Sequence, residues 1–356
     1  VAFPRLVRIL HLSNHVDDAG NGIVNAAVDL AWYQVEAGHE VAFASRGGSF
    51  APLLAERGVA HHVIPQREPK SMPAATVRLA RLVRCLRPDV VHAHMVTGAL
   101  IARAVRGRTG YRLVCSVQNE WQRQAVLMRV GDAVVAVSRS NAAALERRGI
   151  PGHKLSVVSN GTLGSPRLTD SDGVAPLERP AVTTVAGLYE RKGLGELLAA
   201  FERLPADLGA HLYVVGEGPF REELERRIAA SPARDRVHLE GFQRRVQPYL
   251  RATDVFVLAS RKDPFPLVLS EARAAGCAIV GTDVDGIPEA LEGGRAGVLV
   301  PVGDPAAIEA ALLRLLRDDD ERRRLGAAAR ENHGWLQARH MAARMLEVYE
   351  RALSPR

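Results

Sequence analysis

Cysteine is scarce in this chain: Cys85, Cys115 and Cys277 are the three among 356 residues, and they lie far apart. Such spacing excludes a disulfide framework and a CxxC metal-binding pair, and it fits a reducing compartment. Lysine is also sparse. Lys70, Lys154, Lys192 and Lys262 are the only four among 47 basic residues, and the rest are arginine. The formal charge of +7 therefore reads as a codon preference for arginine, and basicity alone does not argue for a nucleic-acid partner. No run approaches eighteen apolar residues, so no membrane-spanning helix is expected. The opening stretch, Val1 to Leu12, has a strand pattern without the charged and apolar regions of a secretory signal. The expected setting is the cytoplasm.

What is present is an ordinary globular composition, 47% hydrophobic and 24% charged, in a length that fits two domains better than one core. Short β-rich runs alternate with amphipathic helical patterns from end to end, the mark of parallel sheets covered by helices. The first series of strands is expected at Leu6 to Leu12, Val41 to Ser45, His62 to Pro65, Val90 to His94, Leu113 to Gln118, Ala133 to Ser138 and Leu155 to Val158. Periodicity fails around residues 163–180, where Gly, Ser, Pro, Asp and Thr crowd together as in a linker. A second series follows at Val182 to Val185, Ala210 to Val215, Val237 to Glu240, Val255 to Leu258, Ala278 to Thr282 and Gly297 to Val300. The stretch Glu321 to Leu353 reads as helical. The fold class is thus α/β, with two Rossmann-like doubly wound domains at 1–162 and 181–335 and a final helix at 336–356. Such sheets bind ligands at the carboxyl ends of their strands, so two of them would face one central cleft.

Several stretches can carry chemistry. After the strand ending at Leu258 comes Arg261-Lys-Asp-Pro-Phe-Pro-Leu-Val-Leu-Ser-Glu271-Ala-Arg-Ala-Ala-Gly276. Pro266 suits the first turn of a helix and Gly276 its end. The N-terminus of that helix favours a phosphate, and Glu271 offers two acceptor oxygens to adjacent ribose hydroxyls; a plain solvated carboxylate is the alternative. In Val185-Ala-Gly-Leu-Tyr-Glu-Arg-Lys192-Gly193, a lysine stands at a helix N-terminus against the dipole, a conflict that an anion would resolve. Strand alternation places His92 and His94 on one face, with no recognisable third ligand for a metal nearby. The loop around Gly20 and Gly22 lets backbone approach a ligand. It is not a dinucleotide fingerprint: Asn25 stands where a third glycine belongs, and the second strand ends without an acid for the ribose.

The pair Asp263 and Glu271, with seven residues between them in a strand, Pro-rich loop and helix, resembles the paired-acid motif of retaining GT-B glycosyltransferases of the large sucrose-synthase-like family, family 4. The stretch through Thr282-Asp-Val-Asp-Gly-Ile-Pro-Glu289 is similar to the same family. The resemblance implies that Glu271 holds the donor ribose, that Asp263 lies near the donor sugar, and that Leu267 and Val268 open the donor-binding helix. Lys192 is expected to grip the diphosphate. Gly187 stands where the family has an arginine, and Arg191 is a candidate to compensate. His94 is expected beside the donor sugar and Gly22 against the diphosphate, with His92 a buried structural histidine. Gly241, Phe242 and Gln243 are expected near the base. The departures are Asp263 in place of Glu, Pro266 in place of the usual Gly, and Gly187.

The chemistry that this resemblance implies is metal-independent transfer with retention, the leaving diphosphate helping to deprotonate the acceptor, so no metal and no cofactor is expected. Asp283-Val-Asp285 resembles a metal motif of another transferase class and is read as a loop. Donor and hydroxyl acceptor are the expected partners. A UDP-sugar is favoured on family frequency, and the acceptor class is a secondary metabolite, polysaccharide or lipid-linked glycan. Gln118, Asn119 and Glu120, ending a first-domain strand, are acceptor candidates. A sugar-nucleotide epimerase and a non-catalytic nucleotide-binding module are the alternatives. Arginines 78, 81, 84 and 87 form a helical stripe that reads either as a solvated face or as a peripheral membrane contact.

Overall fold

The computed structural model describes residues 6–65, 71–107, 109–119, 122–168 and 173–354. They form two compact units, residues 1–167 with 335–356 and residues 168–334. Residues 163–167 belong to the first and 168–180 run with the second.

In the first unit seven strands form one parallel sheet: β1 (Arg8–Leu12), β2 (Glu40–Ser45), β3 (Ala60–Val63), β4 (Val90–Ala93), β5 (Arg112–Val117), β6 (Ala133–Ala136) and β7 (Leu155–Val157). Their order is β3-β2-β1-β4-β5-β6-β7. Each expected strand occurs with its ends moved by a few residues. The third moves towards the N-terminus because the ladder stops at Ile64, whose N–H bonds Ser45 O, and Pro65 has no N–H to continue it. β1 and β4 are buried almost throughout because helices cover both faces, which is why they read as continuous apolar runs. Two clusters of buried side chains fill the two sides of the sheet.

One of those clusters contains the helix Gly22–Glu36 and the C-terminal helix Ala338–Leu353. Met341, Ala342, Met345, Leu346, Val348 and Tyr349 recur at helical spacing and are all buried. The C-terminal helix is therefore part of the first unit. The expected single helix from Glu321 to Leu353 is instead two, Asp319–Arg330 and Ala338–Leu353. Between them Asn332 takes a positive φ of 46°, and backbone bonds from Thr162 and Leu163 to Leu336 O tie the incoming chain to the first unit. Asparagine tolerates the left-handed region better than most residues, so the helical pattern breaks there.

The second unit carries β8 (Ala181–Val185), β9 (His211–Val215), β10 (Val237–Gly241), β11 (Val255–Leu258), β12 (Ala278–Thr282) and β13 (Val298–Val300). They form a parallel sheet in the order β10-β9-β8-β11-β12-β13 around its own apolar core. The order in which strands are added reverses between β1 and β4 in one sheet and between β8 and β11 in the other. These are the topological switch points at which open α/β sheets leave a crevice beyond the carboxyl ends of their strands. No helix among the described residues is long and apolar enough to cross a membrane.

Candidate active site

In the second unit the loops that follow β8 and β11 meet at the switch point, and a glycine lets their backbones touch. Gly193 has φ +66°, and a Cβ there would stand 1.8 Å from Ala259 O. Arg261 N–H bonds Arg191 O at 2.7 Å alongside it. Lys192 ends a short 3-10 turn, Glu190–Lys192, before the helix Leu194–Glu202. From there its Nζ reaches Asp263 Oδ2 at 2.5 Å, with both side chains largely buried. Ser260 Oγ donates to the same oxygen at 3.4 Å. The anion expected beside Lys192 is thus supplied in part by Asp263, so two residues singled out separately in the sequence form one ion pair. An ammonium has three donors and a carboxylate two oxygens. This pair engages one N–H and Oδ2, and Oδ1 lies outside both contacts.

Asp263 is held from behind. Its backbone N–H donates to Asp285 Oδ2 at 2.8 Å, and its carbonyl accepts from Gly286 N–H at 3.1 Å. A Cβ on Gly286 would stand 1.9 Å from Pro264 O, so the approach requires glycine. Asp285 has φ 49°, and burial is the main cause that raises its carboxyl above the usual range. The Asp283-Val-Asp285 stretch is a loop, as expected, but Asp285 is a structural part of the site that sequence reasoning passed over. The legible signal was Asp-Gly before a helix, a turn pair.

Pro266 corrects a second expectation: it caps the helix Leu267–Ala275 from outside and does not lie in its first turn. Leu267 and Val268 open that helix half-buried, and Glu271, also half-buried, is its fifth residue. Gly276, at φ 77°, closes the helix and donates to the Ala272 and Arg273 carbonyls. Arg273 is buried completely. It donates to the carbonyls of Ala290, Ala329 and Glu331 at 2.8–2.9 Å and pairs with Glu292 at 2.7 Å, which fixes the helix to its neighbours.

At Gly187 the Tyr189 ring stands 3.0 Å from where a Cβ would be, so an arginine there would have to displace the tyrosine. Arg191 lies over that ring at 5.5 Å and donates to Lys262 O at 3.3 Å. Gly241, at φ 69°, ends β10 beside Glu217, and a register shift separates it from Leu239. Phe242 is exposed, and Gln243 donates to Glu240 O at 2.9 Å.

In the first unit Gly22 is the first residue of its helix, and the Asn21 side chain accepts from Ile23 N–H at 3.1 Å. His94 follows β4 and His92 lies within it, both buried, with ring centroids 4.1 Å apart. The expectation that no third imidazole lies nearby is corrected. His11, on the adjacent β1, places Nδ1 2.9 Å from His94 Nε2. The three histidines cluster closely enough for a metal, yet five of their six ring nitrogens are hydrogen-bonded. His11 Nε2 donates to Gln34 Oε1 at 2.7 Å, and His92 meets Tyr349 Oη at 2.6 Å and Ser116 Oγ at 2.7 Å. Among the described residues, His94 Nδ1 is the one nitrogen of the six without a partner. Burial lowers His11 to about 4 and holds His92 and His94 well below the usual histidine range, with their mutual proximity adding to the effect in His92 and His94. All three are neutral at pH 7.

A second cluster, Glu178, His211 and His238, lies at the start of β8, β9 and β10, where His211 Nδ1 and His238 Nε2 are 3.0 Å apart. Gln118 accepts from Asn160 Nδ2 at 3.1 Å, and Asn119 is half-buried; Glu120 and Trp121 lie outside the described residues. The arginines at 78, 81, 84 and 87 are exposed along and just beyond the helix Met72–Leu86.

Two family models match the chain. "Glycosyltransferase Family 4" covers residues 20–162, and "Glycosyl transferases group 1" covers residues 179–318. The N-acetyl-alpha-D-glucosaminyl L-malate synthase of Bacillus anthracis is 26% identical over 341 residues, 88% of each chain. The lipopolysaccharide core biosynthesis glycosyltransferase LpsE of Rhizobium meliloti is 31% identical over 50% of this chain, and the match spans about half, 52%, of that relative. Among solved structures, Anabaena HepE in complex with UDP superposes with a TM-score of 0.82 at 18% identity, over 97% of this chain and all of that one.

Proposed function

We propose, from the premise that this chain belongs to glycosyltransferase family 4 and is a GT-B glycosyltransferase, that it takes its sugar from a nucleoside diphosphate donor, a UDP-sugar, and transfers it with retention to a hydroxyl acceptor. The observation that carries this reading is the Lys192–Asp263 pair at 2.5 Å, set at the switch point beside the N-terminus of the helix Leu267–Ala275. A lysine with two unused donors suits the charge that grows on a leaving diphosphate. The unpaired N–H groups of a nine-residue helix add to it. Glu271 takes the ribose hydroxyls, and Asp263 Oδ1 takes a hydroxyl of the donor sugar. HepE has been crystallised with UDP-glucose, which supports a UDP-sugar as the class to test first.

In the proposed reaction the bond between the sugar and the diphosphate oxygen breaks and the acceptor oxygen bonds the same face of the sugar. The acceptor proton passes to a leaving phosphate oxygen. No protein nucleophile takes part, and no metal is required. Lys192 stabilises the leaving group, Asp263 orients the sugar, and neutral His94 accepts a sugar hydroxyl. The acceptor class is a glycan, lipid-linked glycan or secondary metabolite.

The test is a thermal-shift panel of UDP, UDP-glucose, GDP, ADP and NAD, because a ligand that binds the folded state alone raises the melting temperature. Stabilisation by UDP and UDP-glucose, lost in Glu271→Ala, is the expected result; a response to NAD alone, or to none of the five, refutes the donor assignment. Turnover that survives EDTA, with a product that keeps the donor's anomeric configuration by proton NMR, checks the metal-free and retaining steps.

A further inference from the structure

Six buried polar groups of the first unit form one unbranched chain. It runs from His94 Nε2 to His11 Nδ1 (2.9 Å), His11 Nε2 to Gln34 Oε1 (2.7 Å), Gln34 Nε2 to Tyr349 Oη (3.3 Å), Tyr349 Oη to His92 Nδ1 (2.6 Å), and His92 Nε2 to Ser116 Oγ (2.7 Å). Gln34, Tyr349 and the three rings are 0–2% exposed, so water does not compete for these bonds. Because each imidazole is neutral and carries one proton, the tautomer of one ring dictates that of the next. The chain has two coherent directions. With the Gln34 carbonyl towards His11, His11 carries its proton on Nε2, His94 carries its own on Nε2, and His94 Nδ1 is a bare lone pair. With the amide turned over, every proton shifts and His94 Nδ1 becomes a donor.

We propose that Tyr349, on the C-terminal helix, is a positioning residue that sets the direction of this chain and so presents His94 with a lone pair at Nδ1. Among the described residues the Tyr349 hydroxyl is the one group hydrogen-bonded to both Gln34 and His92. A phenol donates better than it accepts, and its contact with His92 Nδ1 (2.6 Å) is much shorter than that with Gln34 Nε2 (3.3 Å), so its proton goes to His92 Nδ1 and its oxygen accepts from the Gln34 amide N–H, which favours the carbonyl towards His11. His92 then donates from Nε2 to Ser116. Without the hydroxyl that preference is lost, and either orientation of the amide leaves one amide atom unsatisfied, so the two directions approach each other in energy. A helix that follows the second unit in sequence thereby controls the proton on a residue some 250 positions earlier. The inference rests on the proposed role of His94 only where it touches turnover; the tautomer itself is independent of function.

The experiment is ¹⁵N-histidine NMR of the full chain at pH 7.5, where a bare ring nitrogen resonates far from a protonated one. His94 is assigned by the peak lost in His94→Gln. Wild type is expected to show Nδ1 bare and Nε2 protonated. Tyr349→Phe keeps the ring and is expected to give a mixture; at equal populations kcat falls about twofold while the donor KM holds, because the competent fraction is halved. Gln34→Met cuts the chain at its next link and gives the same mixture, which covers the case that Tyr349→Phe does not fold. A His94 signal unchanged in both variants, or a wild type protonated at Nδ1, overturns the proposal. A tautomer that shifts while turnover stays at the wild-type rate leaves the relay standing and removes His94 from the transfer reaction.

Discussion

Lowering the pH from 7.5 to 5.0 should destabilise the first unit, and His11 alone supplies a share that can be worked out. Its folded value is about 4, lowered by burial from an unfolded 6.5. Between those values the unfolded chain binds a proton that the folded chain refuses, so stability is fully present above pH 6.5 and is lost as pH falls towards 4. At pH 5.0 the unfolded state is 1.5 units below its value and the folded state one unit above, which costs about 2 kcal/mol at 1.36 kcal/mol per unit. His92 and His94, lowered mainly by the same burial, act in the same direction. The assay is urea unfolding followed by tryptophan fluorescence. Trp32, Trp121 and Trp335 all belong to the first unit by position, so the signal reports that unit without the second. His11→Gln should shrink the loss between pH 7.5 and 5.0 by about 2 kcal/mol. A variant with the wild-type pH dependence would refute the claim that this ring is buried and neutral.

Three further outcomes are expected. Lys192→Met should weaken UDP-sugar binding by roughly 1.5–3 kcal/mol, the range for hydrogen bonds to charged groups, as read by calorimetric titration; unchanged affinity removes Lys192 from the donor site. Arg273→Met leaves two buried carbonyls and a half-buried one without their donor and should cost the second unit about 3–5 kcal/mol, seen as a circular-dichroism transition that precedes the tryptophan one. Gly193→Ala places a Cβ against Ala259 O and strains a positive φ, so it should lower both the melting temperature and donor affinity, whereas Gly209→Ala, also at positive φ but with open space around its Cβ, should spare the affinity.

The architecture was legible from the order of residues because its cause is local. β-rich runs buried on both faces and helices with apolar side chains every three or four residues declare themselves without reference to distant parts of the chain, and all thirteen strands occur where such runs lie. Asp263, Lys192 and His94 could be singled out for the same reason, since each follows a strand in the loop that leads into a helix, and Glu271 lies just over one turn inside such a helix. The errors fall at boundaries, where residue type discriminates poorly: Pro266 suits the first turn of a helix and the position just before it, and Asn332 is tolerated inside a helix as well as at its end.

Only the tertiary structure decided how those residues are paired. Lys192 and Asp263 are 71 positions apart and meet because β8 and β11 are neighbours at the switch point, with Gly193 and Gly286 allowing backbone contacts that no spacing rule announces. His11 joins His94 because β1 lies beside β4, and Tyr349 reaches His92 across 257 positions because its helix packs in the first unit. Periodicity reports which face of an element is buried, whereas hydrogen bonds between buried polar groups depend on which elements become neighbours. That choice is made by packing the whole sheet.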